Sequence, residues 1–106
     1  MAKFLIKASY APEGIRGLMK EGGTGRRAAV QKVTESLGGR VEAFYFAYGD
    51  ADAYVISDVP DTVSAMALSL AVNASGAVRI STVPLMTPED MDAACKKSVA
   101  YKAPGA

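Results

Sequence analysis

The sequence predicts a single α+β domain spanning residues 1–106, and three observations carry that prediction. Its length suits one core. Half of its residues are hydrophobic and 22% are charged, which is globular rather than disordered composition. Stretches of alternating apolar residues are interleaved with stretches of helical period, the mixture expected of strands and helices in one layered fold.

Residues 3–10 alternate, with Phe4, Ile6, Ala8 and Tyr10 on one side and Lys3, Leu5, Lys7 and Ser9 on the other. That is a strand with one buried and one mixed face. Pro12 admits a helical turn carrying Ile15, Leu18 and Met19, weakened by Gly14 and Gly17. Gly22-Gly23-Thr24-Gly25 interrupts it, and Thr24 is placed to cap a second helix whose apolar stripe is Val30, Val33 and Leu37. Gly38-Gly39 supplies the stop.

The β-branched and aromatic run 40–48 predicts a strand, Gly49-Asp50-Ala51-Asp52 a turn, and 53–59 the partner strand. Asp61 caps the next helix, which runs to about Gly76. Residues 77–85 alternate again, and Pro84 ends that strand or puts it on an edge. Thr87-Pro88-Glu89-Asp90 opens a short third helix, with a cap, a proline at the first position and acids in the first turn. Tyr101–Ala106 is a tail. The order is βαββαβ with an extra C-terminal helix, which is the ferredoxin-like pattern, with an expected strand order of 4-1-3-2 and both main helices on one face.

Two features predict self-association. No charged side chain falls between Thr62 and Val78. Val63, Met66, Ala67, Leu70 and Ala74 make one face of that helix, yet Leu68, Ala71 and Val72 make much of the opposite face apolar too, where a surface helix normally turns polar residues outward. Either the third helix and tail cover it within the chain or another subunit does. The second feature is aromatic. The open sheet face takes either Phe44, Phe46 and Tyr48 or Ala43, Tyr45 and Ala47 from the second strand, so aromatics lie on both sides of it.

Composition narrows the function classes. Cys95 is the only cysteine and histidine is absent, which removes an intramolecular disulfide, disfavours zinc and takes away the commonest proton shuttle near neutral pH. No metal or cofactor is expected. Eight Lys/Arg against three Glu in residues 1–40, and one Arg against eight acids in 41–94, fit charge pairing rather than a basic nucleic-acid-binding face. Lys3 and Lys7 interrupt the first apolar run, so a cytoplasmic protein without a secretory leader is expected. The uncharged helix is too short and too rich in serine for a membrane span.

Three groups of residues are candidate sites. Gly23, Thr24, Gly25, Arg26 and Arg27 combine close backbone approach with two guanidinium groups at a helix start, a place where cations need a counter-charge and where a carboxylate or phosphate can sit. The alternative is a glycine kink with arginines paired to protein acids. Lys7 and Arg79, with Ser9 and Ser81, share the open sheet face and can take an acidic ligand, or pair with Glu42 or Asp58 across an interface. Asp50 and Asp52 flank a turn beside Tyr48 and Tyr54. Of these, Asp52, Tyr48 and Tyr54 are the candidate acid–base groups, although Asp, Gly and Asp are also what a hairpin turn favours.

The segment Phe46-Ala47-Tyr48-Gly49-Asp50-Ala51-Asp52, followed by strand 53–57 and Asp58-Val59-Pro60-Asp61, resembles the GYD-domain family. Glu21 to Arg27, Asn73-Ala74-Ser75-Gly76 and Leu85 to Glu89 resemble it too. Gly49 and Asp52 match the family's glycine and aspartate, whereas Ala51 stands at its tyrosine, so no role of that hydroxyl transfers. The resemblance implies a dimeric α+β barrel and no settled activity, in a fold group that includes cofactor-free oxygenases, isomerases and binding modules. The readings in order are a homo-oligomer binding a small ligand, an anion among the options, then a cofactor-independent isomerase or oxygenase acting in an inter-sheet cavity, then an assembly unit without ligand.

Overall fold

The computed structural model describes residues 1–106 and has the order β1 (Ala2–Tyr10), α1 (Pro12–Ser36), β2 (Arg40–Phe46), β3 (Ala53–Val59), α2 (Thr62–Ala74), β4 (Val78–Leu85) and α3 (Pro88–Cys95). The sheet runs β2-β3-β1-β4 with every pair antiparallel, the strand order expected from the ferredoxin-like pattern. β4 is an edge strand, which is how it tolerates Pro84 opposite Phe4.

Alternation sets the two faces. Phe4, Ile6, Ala8, Val55 and Val78 point toward the helices and are buried there, with Leu68 of α2 and with Val30 and Leu37 of α1 packed on them. Register puts Phe44 opposite Val55 and Phe46 opposite Ala53, so the phenylalanines join the helix face. Ala43 and Tyr45, opposite Ile56 and Tyr54, take the open face. A bulge between Val41 and Ala43 accommodates Glu42.

Several local expectations need correction. Thr24 does not cap the second helical piece. The break falls at Gly22, whose φ of 77° and ψ of 167° interrupt an otherwise continuous α1, a conformation glycine adopts without penalty. The inward stripe of α1 is Val30 and Thr34, continued by Leu37 at its C-cap, rather than Val33, which is 40% exposed. Thr34 is fully buried because its hydroxyl donates to the Val30 carbonyl at 2.8 Å and needs no water. β2 stops at Phe46, so Tyr48 lies in the turn and is fully exposed.

The stops and starts follow their residues. Gly38 at φ 80° and Gly39 close α1 with bonds from Gly38 N to Glu35 O (2.9 Å) and Gly39 N to Thr34 O (3.0 Å), a Schellman end. Asp61 accepts from Ser64 N at 2.7 Å. Thr87 and Asp90 form a reciprocal capping box.

α2 turns Ala65, Leu68 and Val72 inward, while Ser69 bonds Thr82 (2.7 Å) and Asn73 bonds the backbone of Ile80. Val63, Met66 and Leu70 therefore face out and stay exposed. Neither α3 nor the tail covers them, since all residues from Met86 onward are exposed. The radius of gyration is 16.8 Å, against about 13 Å for a compact chain of this length. No helix is long and apolar enough to cross a membrane.

Candidate functional site

The open face of the sheet carries its charge in two unlike halves. At one end, Lys3 bonds both Glu42 and Asp58 (3.0 Å to the latter), and Arg40 Nη2 lies 3.1 Å from Asp58 Oδ2. That last contact is an ion pair by distance without hydrogen-bond alignment, so Oδ2 keeps no formal bond. The Glu42 carboxylate, and after it Asp58, hold the Lys3 ammonium above the usual lysine range. This half is neutralised within the chain, and the two acids considered as partners for Lys7 and Arg79 are already engaged.

The other half is not neutralised. Strand register puts Lys7 opposite both Tyr54 and Ser81, and Ser9 opposite Arg79. Those five side chains, with Asp50 and Ala51, surround an open cleft of about 270 Å³. Lys7 and Arg79 form no ion pair with any carboxylate of the chain. The cleft exists because β1 is central. Its C-terminal end meets β4 on one side and, on the other, the β2–β3 turn, which brings Asp50 to the rim. In the sequence Asp50 is, with Asp52, one of two turn carboxylates beside tyrosines, and its place in one cleft with Arg79 depends on strand order rather than on any local motif.

Asp52 has another task. Its Oδ2 accepts from Tyr10 N at 2.8 Å, its own N–H donates to Ala8 O at 2.8 Å, and its carbonyl accepts from Ala47 N at 2.8 Å. It ties the hairpin turn to the end of β1. Asp52 and Tyr48 border an apolar groove with Ile15, Leu18 and Phe46, whereas Tyr54 belongs to the charged cleft. The acid–base candidates are thus divided between two places.

The glycine–arginine segment also divides. Gly23, Thr24 and Arg27 line a groove with Phe44 and Phe46, and a Cβ on Gly23 would sit 3.1 Å from the Phe46 ring. Arg26 instead enters the crevice between helices and sheet with Val30, Leu68 and Val72, where its Nε is buried without a partner. Gly25 lines neither. Neither arginine is paired to a protein acid.

No curated protein and no solved structure matches the chain to a significant degree. The sequence profile of the GYD domain matches residues 4–95, from Phe4 of β1 to the end of α3. On that match the chain belongs to the GYD domain family.

Proposed function

We propose that the protein binds a small anionic molecule on the open face of its sheet, in a cleft that a second copy completes by packing its own sheet on the first. The observation that carries this reading is the contrast between the two halves of the face. Lys3 and Arg40 are matched by Glu42 and Asp58, while Lys7 and Arg79 converge on one cleft with two serine hydroxyls and a phenol and have no carboxylate partner in the chain. The Asp50 carboxylate reaches the rim of the same cleft but makes no ion pair, so two cations and three neutral donors against one acid leave a net positive set that a carboxylate or phosphate satisfies. Leu5, Ile56, Tyr45 and Val83 share the face, and Tyr45 is 72% exposed, which supports a second sheet as its cover.

Calorimetry with inorganic phosphate, and in parallel with acetate, tests the reading. Lys7→Ala and Arg79→Ala each weaken binding about tenfold or more, the loss expected for one charge-assisted hydrogen bond. Arg27→Ala leaves it unchanged. Binding that depends on Arg27 instead would put the ligand in the groove by Gly23, and absence of binding to the unmodified protein would refute the proposal.

A further inference from the structure

Two apolar surfaces of this chain have no cover. One is the outward face of α2, where Val63, Met66 and Leu70 are 78%, 56% and 63% exposed on a helix without a charge. The other is α3. Met91, Ala94 and Cys95 stand at helical spacing along one side of it, with Glu89 and Asp92 on the other, and every one of its residues is exposed.

α3 is built to be ordered without support from its own body. Isolated helices below about 12–15 residues are marginal in water, and this one has eight. It is nonetheless started by a full capping box from Thr87 and Asp90 and by Pro88 at the first turn. The same residues fix its direction. Only Met86 and Thr87 separate it from β4, Thr87 is extended (φ −75°, ψ 159°), and the proline restrains that conformation. The arm is therefore launched off the end of the sheet and not folded back across α2.

From these features we infer that α3 of one copy lies across the outward face of α2 of a second copy, in reciprocal exchange. Each chain carries one arm and one bare helix face, so a twofold pair covers both and leaves neither over. The chemistry agrees. An uncharged α2 receives Met91, Ala94 and Cys95, Glu89 and Asp92 remain on the watered side of α3, and Asp90, at the edge of the apolar side, is held by the Thr87 N–H in the capping box. This contact lies on the helix side of the sheet and does not depend on the anion cleft of the opposite face.

Cys95 is a native reporter for the contact. Val63→Cys, Met66→Cys and Leu70→Cys are prepared singly in the full chain, with and without Cys95→Ser, checked for retained circular dichroism, and oxidised mildly. At least one of the three is expected to give a reducible covalent dimer on a non-reducing gel, with peptide mapping joining the introduced cysteine to Cys95 and with Cys95→Ser abolishing that link. A monomer-mass species with the same disulfide would mean that the arm folds over its own α2. No link from any of the three positions would mean that it docks elsewhere. Either result overturns the inference. Phosphate calorimetry on the same proteins reports the cleft separately, so loss of one result leaves the other readable.

Discussion

Ser57 has no exposed surface and its hydroxyl bonds to nothing, in the middle of β3 between Phe4 and Val41. A buried donor without a partner costs free energy that a methyl group does not. Ser57→Ala is expected to leave stability unchanged or raise it by up to about 1 kcal/mol in urea denaturation. Gly39→Ala is the contrasting case. A Cβ there would lie 2.3 Å from the Asp58 carbonyl oxygen and 3.0 Å from Val59 Cγ1, both held by the sheet. It should cost about 2 kcal/mol or more, and a midpoint equal to that of the unmodified protein would contradict the close approach. Neither property is visible locally. Ser57 reads as an ordinary strand serine and Gly39 as one half of a helix stop, and only the pairing of β2 with β3 gives each its neighbours.

Helix ends were the most legible elements, because a cap is a contact between residues three apart. Asp61, Thr87 with Asp90, and Gly38-Gly39 all act as their spacing predicts. Asp61 also carries a pH signature. The Ser64 backbone N–H, and then the Ser64 side chain, hold its carboxyl below the usual aspartate range. A depressed carboxyl contributes stability above its unfolded value, near pH 4, and loses it as pH falls through the lower folded value. Asp61→Asn keeps an acceptor but removes the charge, so its stability relative to the unmodified protein should be lower at pH 7 and converge with it as the pH falls through the depressed folded value. Parallel curves would exclude the charged cap. Helix faces were less legible. With no charge in α2, hydrophobicity does not say which side is in, and the bonds of Ser69 and Asn73 to β4 lie beyond the helix and are not written in its own periodicity. Thr34 displaced Val33 from the core by bonding its own helix backbone.

At the scale of the molecule, only thirteen residues are buried, too few for a chain in which half of the residues are hydrophobic. Light scattering at micromolar concentration should give at least twice the 11.0 kDa chain mass, and Tyr45→Glu on the open face should lower it, while a monomer before substitution would defeat the assembly reading. The class and element order were legible because alternation and helical period are local, and the strand order followed from the ferredoxin-like pattern that this element order matches. The candidate cleft was legible in part: Lys7 and Arg79 follow from register, but the division of the glycine–arginine and Asp–Tyr groups follows from the Gly22 break and from the early end of β2. The central position of β1 has a consequence for synthesis. The ribosome makes this strand first, yet Ile6 must wait for Val55 and then for Thr82 before either side is bonded. β2 also emerges before β3, its sole neighbour. The nascent chain as far as Phe46 thus holds two unpaired apolar strands, and no sheet hydrogen bond forms until Ala53–Val59 has been translated. The first half of the chain therefore has no native sheet partner until the second half arrives, which makes the pairing of β1 and of β2 a late step of folding.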